Sequence, residues 1–382
     1  MPSSQSQTSA IPANYREMRT EITADGQLKL CLQRVDTPEL GNGDVLIRIE
    51  AAPVNPSDLA LLLGPADLST LKVSGSADDP IVTAQVPPQF MRYVQGRAGQ
   101  SLPLGNEGAG TVVAAGDDAQ HLLGKVVSVA GGKMFAEYCV VPAAVCLPVN
   151  PPHTAKQAAS SFVNPVTVLA QLETMRSEGQ SALINTAAAS NLGKMMIKVC
   201  AKDGIPLVNV VRKAEHVEQL KALGAEYVCN SSDKNFAEQL EHAIAATGAM
   251  IAFDCTGGGN MADKLLKAME AVAARNEKEY SRYGSSTHKQ VYIYGGLDRS
   301  PTTLTRSYGL AWSVSGWLLT AAMGKMGMEK VIEFKQRVAS ELDTTFASDY
   351  SAEVSLAGAL SADAILSYAK QASGEKTLVC PH

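Results

Sequence analysis

The sequence lacks the features that mark nucleic-acid-binding, membrane and disulfide-stabilised proteins. Its 33 basic and 38 acidic side chains give a net charge of −5, and the basic ones are scattered without forming a stripe. Nucleic acid therefore has no evident binding surface. No apolar run reaches the ~18 residues that a membrane-spanning helix needs. The seven cysteines form no C-x-x-C pair, so we expect reduced thiols in a cytoplasmic protein with no membrane partner.

The start of the chain also lacks the apolar core of a secretory signal. Residues 1–14 begin with the polar stretch MPSSQSQTSAIP. We expect this segment to be a disordered tail rather than a signal peptide.

Residues 15–155 are composed of short apolar runs separated by turn residues. DVLIRIEAAPV, GTVVAAG, KVVSVAG and EYCVVP are rich in Val, Ile and Ala, which predicts a β-rich domain. The stretch Asp67 to Ser101 shows no clear periodicity. It is long for a structureless loop, so we expect a lid, a binding loop or an interface arm there.

Residues 156–318 alternate between strand-like and helix-like patterns. SALINTAAA and PLVNVVR read as strands, and NLGKMMIKVCAKDG and AEHVEQLKALGA read as helices that stop near glycine. Alternation of this length predicts an α/β domain with a doubly wound parallel sheet. Residues 319–382 add helices and a last strand, KTLVCP, which we expect to rejoin the first domain.

The turn between the first strand and helix of this α/β region resembles a degraded dinucleotide motif. G-x-G-x-x-G is replaced by Ala188-x-Ser190-x-x-Gly193. Small residues still allow the backbone to approach a pyrophosphate, whose charge the start of a helix stabilises. The alternative is a purely structural strand–helix turn.

The end of the next strand distinguishes between nicotinamide cofactors. An NAD site needs an acidic residue there for the ribose 2′-hydroxyl, but this chain has Arg212 and Lys213, with Arg212 19 residues after Gly193. A guanidinium and an ammonium attract a 2′-phosphate. The pair therefore predicts NADP(H), the alternative being two solvated charges at a strand end.

Further motifs occur in a fixed order along nearly the whole chain: VLIRIEAAPVNPSDLALLLG, LPLGNEGAGTVVAAG, GKVVSVAGG, FAEYCVVP, AASSFVNPVTVLAQLE, LINTAAASNLGKMMIKVCAK, VNVVRKAEHVEQLKALGAEYV, FDCTGG and VYIYGGL. Together they resemble the medium-chain dehydrogenase/reductase superfamily. NPSD, GNEGAG, VNPVT and NVVR are most similar to its zinc-free quinone oxidoreductase and enoyl-thioester reductase branch. The resemblance implies a GroES-like catalytic domain, 15–155 completed by 319–382, and an inserted Rossmann NADP-binding domain, 156–318.

The resemblance also indicates that zinc is missing. The zinc alcohol dehydrogenases of the superfamily have a Cys at the position of Asn55 and a His at that of Asn106. Amides are poor zinc ligands, Glu107 alone does not make a site, and no cysteine lies between Cys31 and Cys139 to form a structural zinc lobe. We therefore expect no metal, and hydride delivery to a quinone or an activated alkene rather than alcohol oxidation.

The enoyl-thioester reductases carry a catalytic tyrosine shortly after NPSD, in a stretch resembling G-x-Y-G. Here the chain continues as Pro65-Ala66-Asp67, which puts enoyl-thioester reduction in doubt. Tyr93 is a candidate substitute for this acid, the alternative being an exposed loop tyrosine. Asn55, the other candidate catalytic residue, is expected to line the nicotinamide pocket.

Cofactor positions also follow from the resemblance. Near the nicotinamide and the phosphates it places Asn164, Thr167, Ala189, Ser190, Asn191, Leu192, Tyr294, Gly295, Gly296, Leu297, Trp317 and Leu318, and near the 2′-phosphate Lys376. Two alternatives to these cofactor contacts stay open. Trp317 and Leu318 could instead be core or dimer-interface residues, and Gly295 and Gly296 could merely end a strand.

These expectations describe an NADP(H)-dependent oxidoreductase that reduces quinones or the C=C bond of α,β-unsaturated carbonyl compounds. The alternatives are an enoyl-CoA or enoyl-ACP reductase and an NADPH-binding protein without turnover. A homodimer is expected, because twofold assemblies are the commonest among soluble oligomers.

Overall fold

The computed structural model describes residues 11–372 and 374–382. Residues 1–10 of the predicted disordered tail, 1–14, lie outside the described residues. Asn14, the last residue of that predicted tail, already begins the first strand. The chain forms two compact units, one running to Val163 and resuming at Arg337, the other spanning Asn164–Gln336. No helix within the described ranges has the length and apolar character needed to cross a membrane.

The strands are β1 Asn14–Ile22, β2 Gln27–Asp36, β3 Asp44–Pro53, β4 Asp67–Gly75, β5 Pro80–Gln85, β6 Leu102–Pro103, β7 Glu107–Ala115, β8 Val126–Ala130, β9 Tyr138–Pro142, β10 Leu147–Pro148, β11 Leu183–Thr186, β12 Leu207–Val211, β13 Tyr227–Asn230, β14 Ile251–Asp254, β15 Gly257–Gly259, β16 Lys289–Ile293, β17 Asp298–Thr302, β18 Trp312–Gly316, β19 Ala352–Val354 and β20 Thr377–Val379. The α-helices are α1 Leu59–Leu62, α2 Met91–Val94, α3 Ala155–Ala158, α4 Val163–Ser177, α5 Asn191–Asp203, α6 Ala214–Ala222, α7 Phe236–Thr247, α8 Met261–Asn276, α9 Leu319–Met326, α10 Met328–Ser340 and α11 Ala362–Lys370.

Two antiparallel-rich sheets build the first unit. One has the order β4-β5-β2-β1-β6, and the other has the order β10-β8-β7-β3-β20-β19, with β9 paired to β3. The last strand does rejoin the first domain, since β20 pairs with β3 in antiparallel register through Leu378 and Pro53. Alternating apolar side chains of these strands, such as Val45, Ile47 and Ile49, fill its core. This is the GroES-like, β-rich half that the sequence predicted.

The segment from Asp67 to Ser101 is not structureless, and its role as a lid, a binding loop or an interface arm stays a prediction. It forms β4, β5 and α2, and β5 extends the five-stranded sheet by pairing with β2. Buried and exposed residues alternate along β5, but the sequence does not show this alternation. The large apolar Ile81 is 36% exposed, whereas the small Ala84 is buried. Period two exists in the structure but not in the hydrophobicity pattern.

The second unit contains a six-stranded parallel sheet in the order β13-β12-β11-β14-β16-β18. Helices α5, α6, α7 and α8 connect the strands from β11 to β16, as parallel neighbours need crossover connections. α5 ends at Gly204, whose φ of 66° closes the helix in the left-handed conformation. The unit has the doubly wound Rossmann architecture that alternating strands and helices predicted.

The unit boundaries differ from the positions expected from composition, 155/156 and 318/319. Helix α3 packs with the first unit, where Ala155 and Ala158 join a cluster with Ala51 and Ala109. Helix α10 starts within the second unit, where Lys330 lies 3.9 Å from Glu173 of α4. Tertiary packing of α3 and α10, rather than the change in composition, sets where each unit ends.

Candidate nucleotide site and buried polar cluster

The second unit carries the predicted nucleotide turn between β11 and α5. Ala187 has a φ of 48°, a conformation that non-glycine residues rarely adopt. Ser190 caps α5, because its Oγ accepts a hydrogen bond from the Gly193 amide at 3.1 Å. A Cβ on Gly193 would lie 2.1 Å from the Ala188 carbonyl oxygen, so only glycine permits this close packing. The turn thus presents a helix N-terminus at a strand end, which fits a pyrophosphate.

The four residues predicted to line the pyrophosphate are consecutive in this turn. Ala189 and Leu192 are buried, whereas Ser190 and Asn191 are partly exposed. The two buried residues can offer only backbone groups to a ligand, and the other two can also offer side chains.

Asp254 organises the neighbouring strand end and was not assigned from the sequence. Its buried carboxylate accepts hydrogen bonds from Thr186 Oγ1 at 2.7 Å, from the Thr256 amide at 2.9 Å and from the Gly257 amide at 3.2 Å. Thr186 Oγ1 in turn accepts from the Cys255 amide at 2.9 Å. The carboxylate therefore ties the end of β14 to the end of β11. The FDCTGG motif could have indicated this role for Asp254, because a buried carboxylate needs donors and the residues that follow it supply backbone amides.

The loop after β16 contacts the chain that follows β14. The Tyr294 amide donates to the Asp254 carbonyl oxygen at 3.0 Å, and the Leu297 amide donates to the Cys255 carbonyl oxygen at 3.2 Å. A Cβ on Gly295 would lie 2.6 Å from the same Cys255 oxygen, whereas one on Gly296 would meet open space. Gly295 is thus required by a close backbone contact, beyond merely ending a strand.

Tyr294 also makes a side-chain contact that holds this loop. Its ring packs edge-on against Trp317, with the ring centres 6.4 Å apart, and burial raises the pKa of Tyr294 well above its usual value. A phenol whose charged form is so unfavourable stays neutral, so Tyr294 acts as a packing group.

The structure separates Trp317 from Leu318. The Trp317 ring is buried and packs edge-on against Phe253 at 5.9 Å and Tyr294 at 6.4 Å, and its Nε1 donates to Thr174 Oγ1 at 3.1 Å. Leu318 is 66% exposed. Trp317 therefore belongs to the aromatic core of this unit, and Leu318 is available at its surface.

Arg212 and Lys213 follow β12 directly, as the sequence placed them, and both are exposed. Within the described chain, Arg212 makes no ion pair, and its carbonyl oxygen accepts a hydrogen bond from Ser232 Oγ at 2.8 Å. Lys213 Nζ lies 3.2 Å from Glu215 Oε1, an exposed pair worth little in water. A guanidinium without a carboxylate partner at this strand end fits the 2′-phosphate of NADP(H).

Asn164 and Thr167 lie in the first turn of α4. Asn164 is partly exposed and Thr167 is buried. Their assignment to the nicotinamide and phosphates stays a prediction.

A buried polar cluster occupies one sheet end in the first unit. Asn55 Nδ2 donates to Glu107 Oε1 at 2.8 Å, and the amides of Phe162 and Val163 donate to Glu107 Oε2 at 2.8 and 2.9 Å. The Asp58 carboxylate accepts from the backbone amide of Asn55 at 2.8 Å. Asn55, Asp58 and Glu107 are at most 2% exposed.

The residues at the expected zinc-ligand positions do not fit zinc. Asn55 Nδ2 is a donor to Glu107, and Asn106 Nδ2 donates to Ser57 Oγ at 2.9 Å. An amide NH₂ cannot ligate a cation, and zinc sites use thiolate, imidazole or carboxylate. Within the described ranges, no three His, Cys, Asp or Glu side chains are grouped for a metal.

Lys376, which precedes β20, belongs to the same cluster. Its ammonium is buried, its nearest charges are Glu107 and Asp58, and it lies 5.9 Å from the Tyr350 ring centre. Its assignment to the 2′-phosphate, which rests on the motif before the last strand, stays a prediction. Glu107 and Asp58 supply the opposite charges that a buried ammonium needs nearby.

Tyr93 lies in α2 and is 67% exposed. Its hydroxyl accepts a hydrogen bond from Arg92 at 2.6 Å, and the guanidinium lies 4.7 Å from the ring centre. Nothing buries or desolvates this phenol as a catalytic acid requires. Its surroundings agree with the alternative of an exposed tyrosine.

Two family models match the sequence. The GroES-like domain of alcohol dehydrogenases matches residues 41–151, and the zinc-binding dehydrogenase family matches residues 192–273. The first corresponds to the β-rich unit and the second to the Rossmann unit.

Among curated proteins, the chain is similar to prostaglandin reductase-3 of Bos taurus, with 27% identity over 275 residues, 70% of this chain. The match spans 63% of the bovine protein's length, less than two thirds. A mitochondrial enoyl-[acyl-carrier-protein] reductase of Xenopus tropicalis is 25% identical over 72% of this chain and 68% of its own length.

A solved structure from Mesorhizobium loti, whose name refers to an NADPH:quinone reductase, shares the fold. It has a TM-score of 0.71 and 24% identity, covering 98% of this chain and 100% of the other.

Proposed function

This chain belongs to the medium-chain dehydrogenase/reductase superfamily, and on that premise we propose that it is a zinc-free, NADP(H)-dependent reductase. Its substrates are quinones or α,β-unsaturated carbonyl compounds whose C=C bond is reduced. The observation that carries the proposal is the unpaired guanidinium of Arg212 one strand away from the Ala187–Gly193 turn.

The second unit supplies the residues that would hold the cofactor. The Ala189–Leu192 turn would bind the pyrophosphate at the start of α5, Arg212 and Lys213 would bind the 2′-phosphate, and the loop Tyr294–Leu297 would support the ribose. Reduced nicotinamide, when bound, supplies a hydride. Asp254 fixes the turn and the loop, so the site is preorganised rather than formed on binding.

The choice of reaction rests on the donor chemistry of the first unit. Alcohol oxidation by the zinc enzymes needs a cation that stabilises an alkoxide, and the Asn55 and Asn106 amides are poor zinc ligands. A quinone or an enone delocalises the negative charge within its own conjugated system. Reduction of such substrates therefore asks less of the protein than alcohol oxidation does.

An enoyl-thioester reductase is the second candidate, favoured by the name of the Xenopus tropicalis relative. It requires a substitute for the tyrosine that Ala66 replaces. Tyr93→Phe tests the only substitute we predicted from the sequence. Because Tyr93 is exposed and hydrogen-bonded to Arg92, we expect the Tyr93→Phe variant to turn over an enoyl-CoA at the wild-type rate. A large loss of turnover in this variant would identify Tyr93 as the acid.

We also propose a homodimer formed through β18. This strand is the edge of the six-stranded sheet, and open edges favour pairing with another chain. Leu310 and Leu318 flank the strand and are 60% and 66% exposed. Sedimentation equilibrium of the wild type and of a Leu310→Glu variant tests this, and a wild-type monomer would refute it.

The function is tested by NADPH consumption at 340 nm across a panel of quinones, enones and enoyl-CoA esters, with NADH in parallel. We expect turnover with NADPH for at least one quinone or enone and much weaker turnover with NADH. Tight NADPH binding with no consumption across the panel would instead identify a nucleotide-binding protein without turnover.

A further inference from the structure

The loop that follows β13 lies against the end of β12, where Arg212 is exposed. Asn230, the last residue of β13, is the register partner of Val211, the last residue of β12. The Ser231 amide donates to the Val211 carbonyl oxygen at 2.8 Å. Ser232 Oγ donates to the Arg212 carbonyl oxygen, also at 2.8 Å. These two hydrogen bonds fix the loop beside Arg212.

This loop carries an acidic side chain, Asp233, directly after Ser232. Asp233 is exposed, and its neighbour Ser232 bonds the backbone of Arg212, so its carboxylate lies within reach of an extended arginine side chain. A carboxylate is a favoured partner of a guanidinium and would compete with a phosphate for it. Within the described residues, however, Arg212 makes no ion pair, either with Asp233 or with another acid.

Two side-chain amides hold the Asp233 carboxylate instead. Asn230 Nδ2 donates to Asp233 Oδ1 at 2.7 Å, and Gln239 Nε2, in the first turn of α7, donates to Asp233 Oδ2 at 3.1 Å. The two amides are fixed in turn. The Asn230 backbone amide donates to Gln239 Oε1 at 3.2 Å, and the Ser232 amide donates to Asn230 Oδ1 at 3.1 Å. Each oxygen of Asp233 therefore has its own amide donor in a connected network.

We propose that Asn230 and Gln239 preserve the preference for NADP(H) by holding the Asp233 carboxylate away from Arg212. The inference rests on the proposed function, in which Arg212 binds the 2′-phosphate. Asn230 and Gln239 are positioning residues, because they act on the cofactor through Asp233 and Arg212. Both amides are neutral, so they restrain the carboxylate without adding a charge of their own to the phosphate site.

The charges at the end of β12 show why this restraint matters. A phosphate monoester carries a charge of about −1.5 to −2 at pH 7, so an unrestrained carboxylate beside it would repel it and would also occupy the guanidinium. Lys213, the other basic residue that follows β12, already lies 3.2 Å from Glu215 Oε1. Of these two basic residues, Arg212 is the cation left free for a phosphate, and Asp233 is an acid close enough to neutralise it.

The test removes the Gln239 amide and measures the Kd of both nucleotides by their own fluorescence. In Gln239→Leu one Asp233 oxygen loses its donor, and the carboxylate is free to pair with Arg212. We expect the Kd for NADPH to rise about 3- to 10-fold, because binding must now break an exposed ion pair and bring like charges together. NADH has no 2′-phosphate, so its Kd should change less than about twofold. Gln219→Leu, at an exposed glutamine of α6, is the matched control and should leave both Kd values unchanged.

A second substitution separates restraint of Asp233 from a merely structural role of Gln239. Adding Asp233→Asn to Gln239→Leu removes the competing charge and should return the Kd for NADPH to within about twofold of wild type, because the two positions are coupled. Failure of this rescue would overturn the proposal. Equal losses for NADPH and NADH in Gln239→Leu, or a Kd for NADPH that stays at the wild-type value, would also overturn it.

A further pair of variants decides the question if the Tm of Gln239→Leu shows that it does not fold. Gln239→Glu keeps the length of the side chain but sets a second carboxylate against Asp233, and like charges repel. We expect the same NADPH-specific rise in Kd, and the same recovery when Asp233→Asn is added. The absence of either effect would overturn the proposal.

Failure of the proposed function is distinguishable from failure of this inference. A wild-type protein that binds NADPH no more tightly than NADH refutes the NADP(H) preference, and with it any need to protect Arg212. A wild type that prefers NADPH, together with a Gln239→Leu variant that keeps the same preference, refutes the restraint of Asp233 alone.

Discussion

Replacement of Arg212 by alanine tests the cofactor preference most directly. Arg212 is exposed at the end of β12 and makes no ion pair within the described chain, so its removal leaves no buried charge behind. The expected loss is that of charge-assisted hydrogen bonds to a phosphate, about 1.5–3 kcal/mol. This corresponds to a roughly 10- to 150-fold higher Kd for NADPH. NADH lacks the 2′-phosphate, so its Kd should change less than threefold.

The assay is titration of each nucleotide by its own fluorescence, at two salt concentrations. Lys221→Ala is the matched control, because Lys221 is an exposed lysine of α6 that already lies 3.6 Å from Glu218. It removes one positive charge without touching the strand end. The NADPH-specific loss should shrink as salt rises, since exposed charges are screened. Equal losses for NADPH and NADH in Arg212→Ala would show that the guanidinium does not read the 2′-phosphate.

Three further predictions follow from buried contacts. Lys289→Met leaves Glu270, otherwise 2.6 Å from Lys289 Nζ, without its buried cation and should lower the unfolding free energy by about 3–5 kcal/mol; calorimetry should show a lower Tm, and adding Glu270→Gln should recover part of it. Gly193→Ala forces its Cβ against a carbonyl oxygen and should weaken NADPH binding, whereas Gly296→Ala, with open space, should not. Burial raises the pKa of Asp58 from 3.8 to about 7, so the folded state keeps a proton that the unfolded chain releases; stability should fall as pH rises from about 4 to 7, and Asp58→Asn should flatten this dependence in thermal melts.

The Rossmann half was predictable because its local signals agree with its tertiary packing. Buried strands such as SALIN and PLVNVV, a glycine stop at Gly204 and an amphipathic α6 all indicate the observed elements. The hairpin of β4 and β5 was not predictable. Its exposed Ile81 and buried Ala84 reverse the usual relation between hydrophobicity and burial, so period two does not appear in the sequence.

Among the candidate site residues, too, some could be located from the sequence and others could not. Arg212 and the Ala189–Leu192 turn are local features, set by position after a strand, and they could be located from spacing alone. Asp254 and Lys376 take their roles from side-chain partners on other strands. No spacing rule shows that Lys376 packs against Glu107, because the contact depends on how β20 pairs with β3.

The pairing of β20 with β3 has a consequence for biosynthesis. Pro53 and Leu378 are neighbours in the sheet but are separated by roughly 300 residues, which take on the order of 15–60 s to synthesise at ribosomal rates of about 5–20 residues per second. During that time the Rossmann unit can complete its local strand–helix–strand units, whereas β3 can pair with β7 and β9 but not yet with β20. The sheet of the first unit is thus completed last during synthesis, and the Lys376 cluster is among the last features to assemble. A nascent chain released before β20 emerges would carry a formed nucleotide turn but no complete polar cluster.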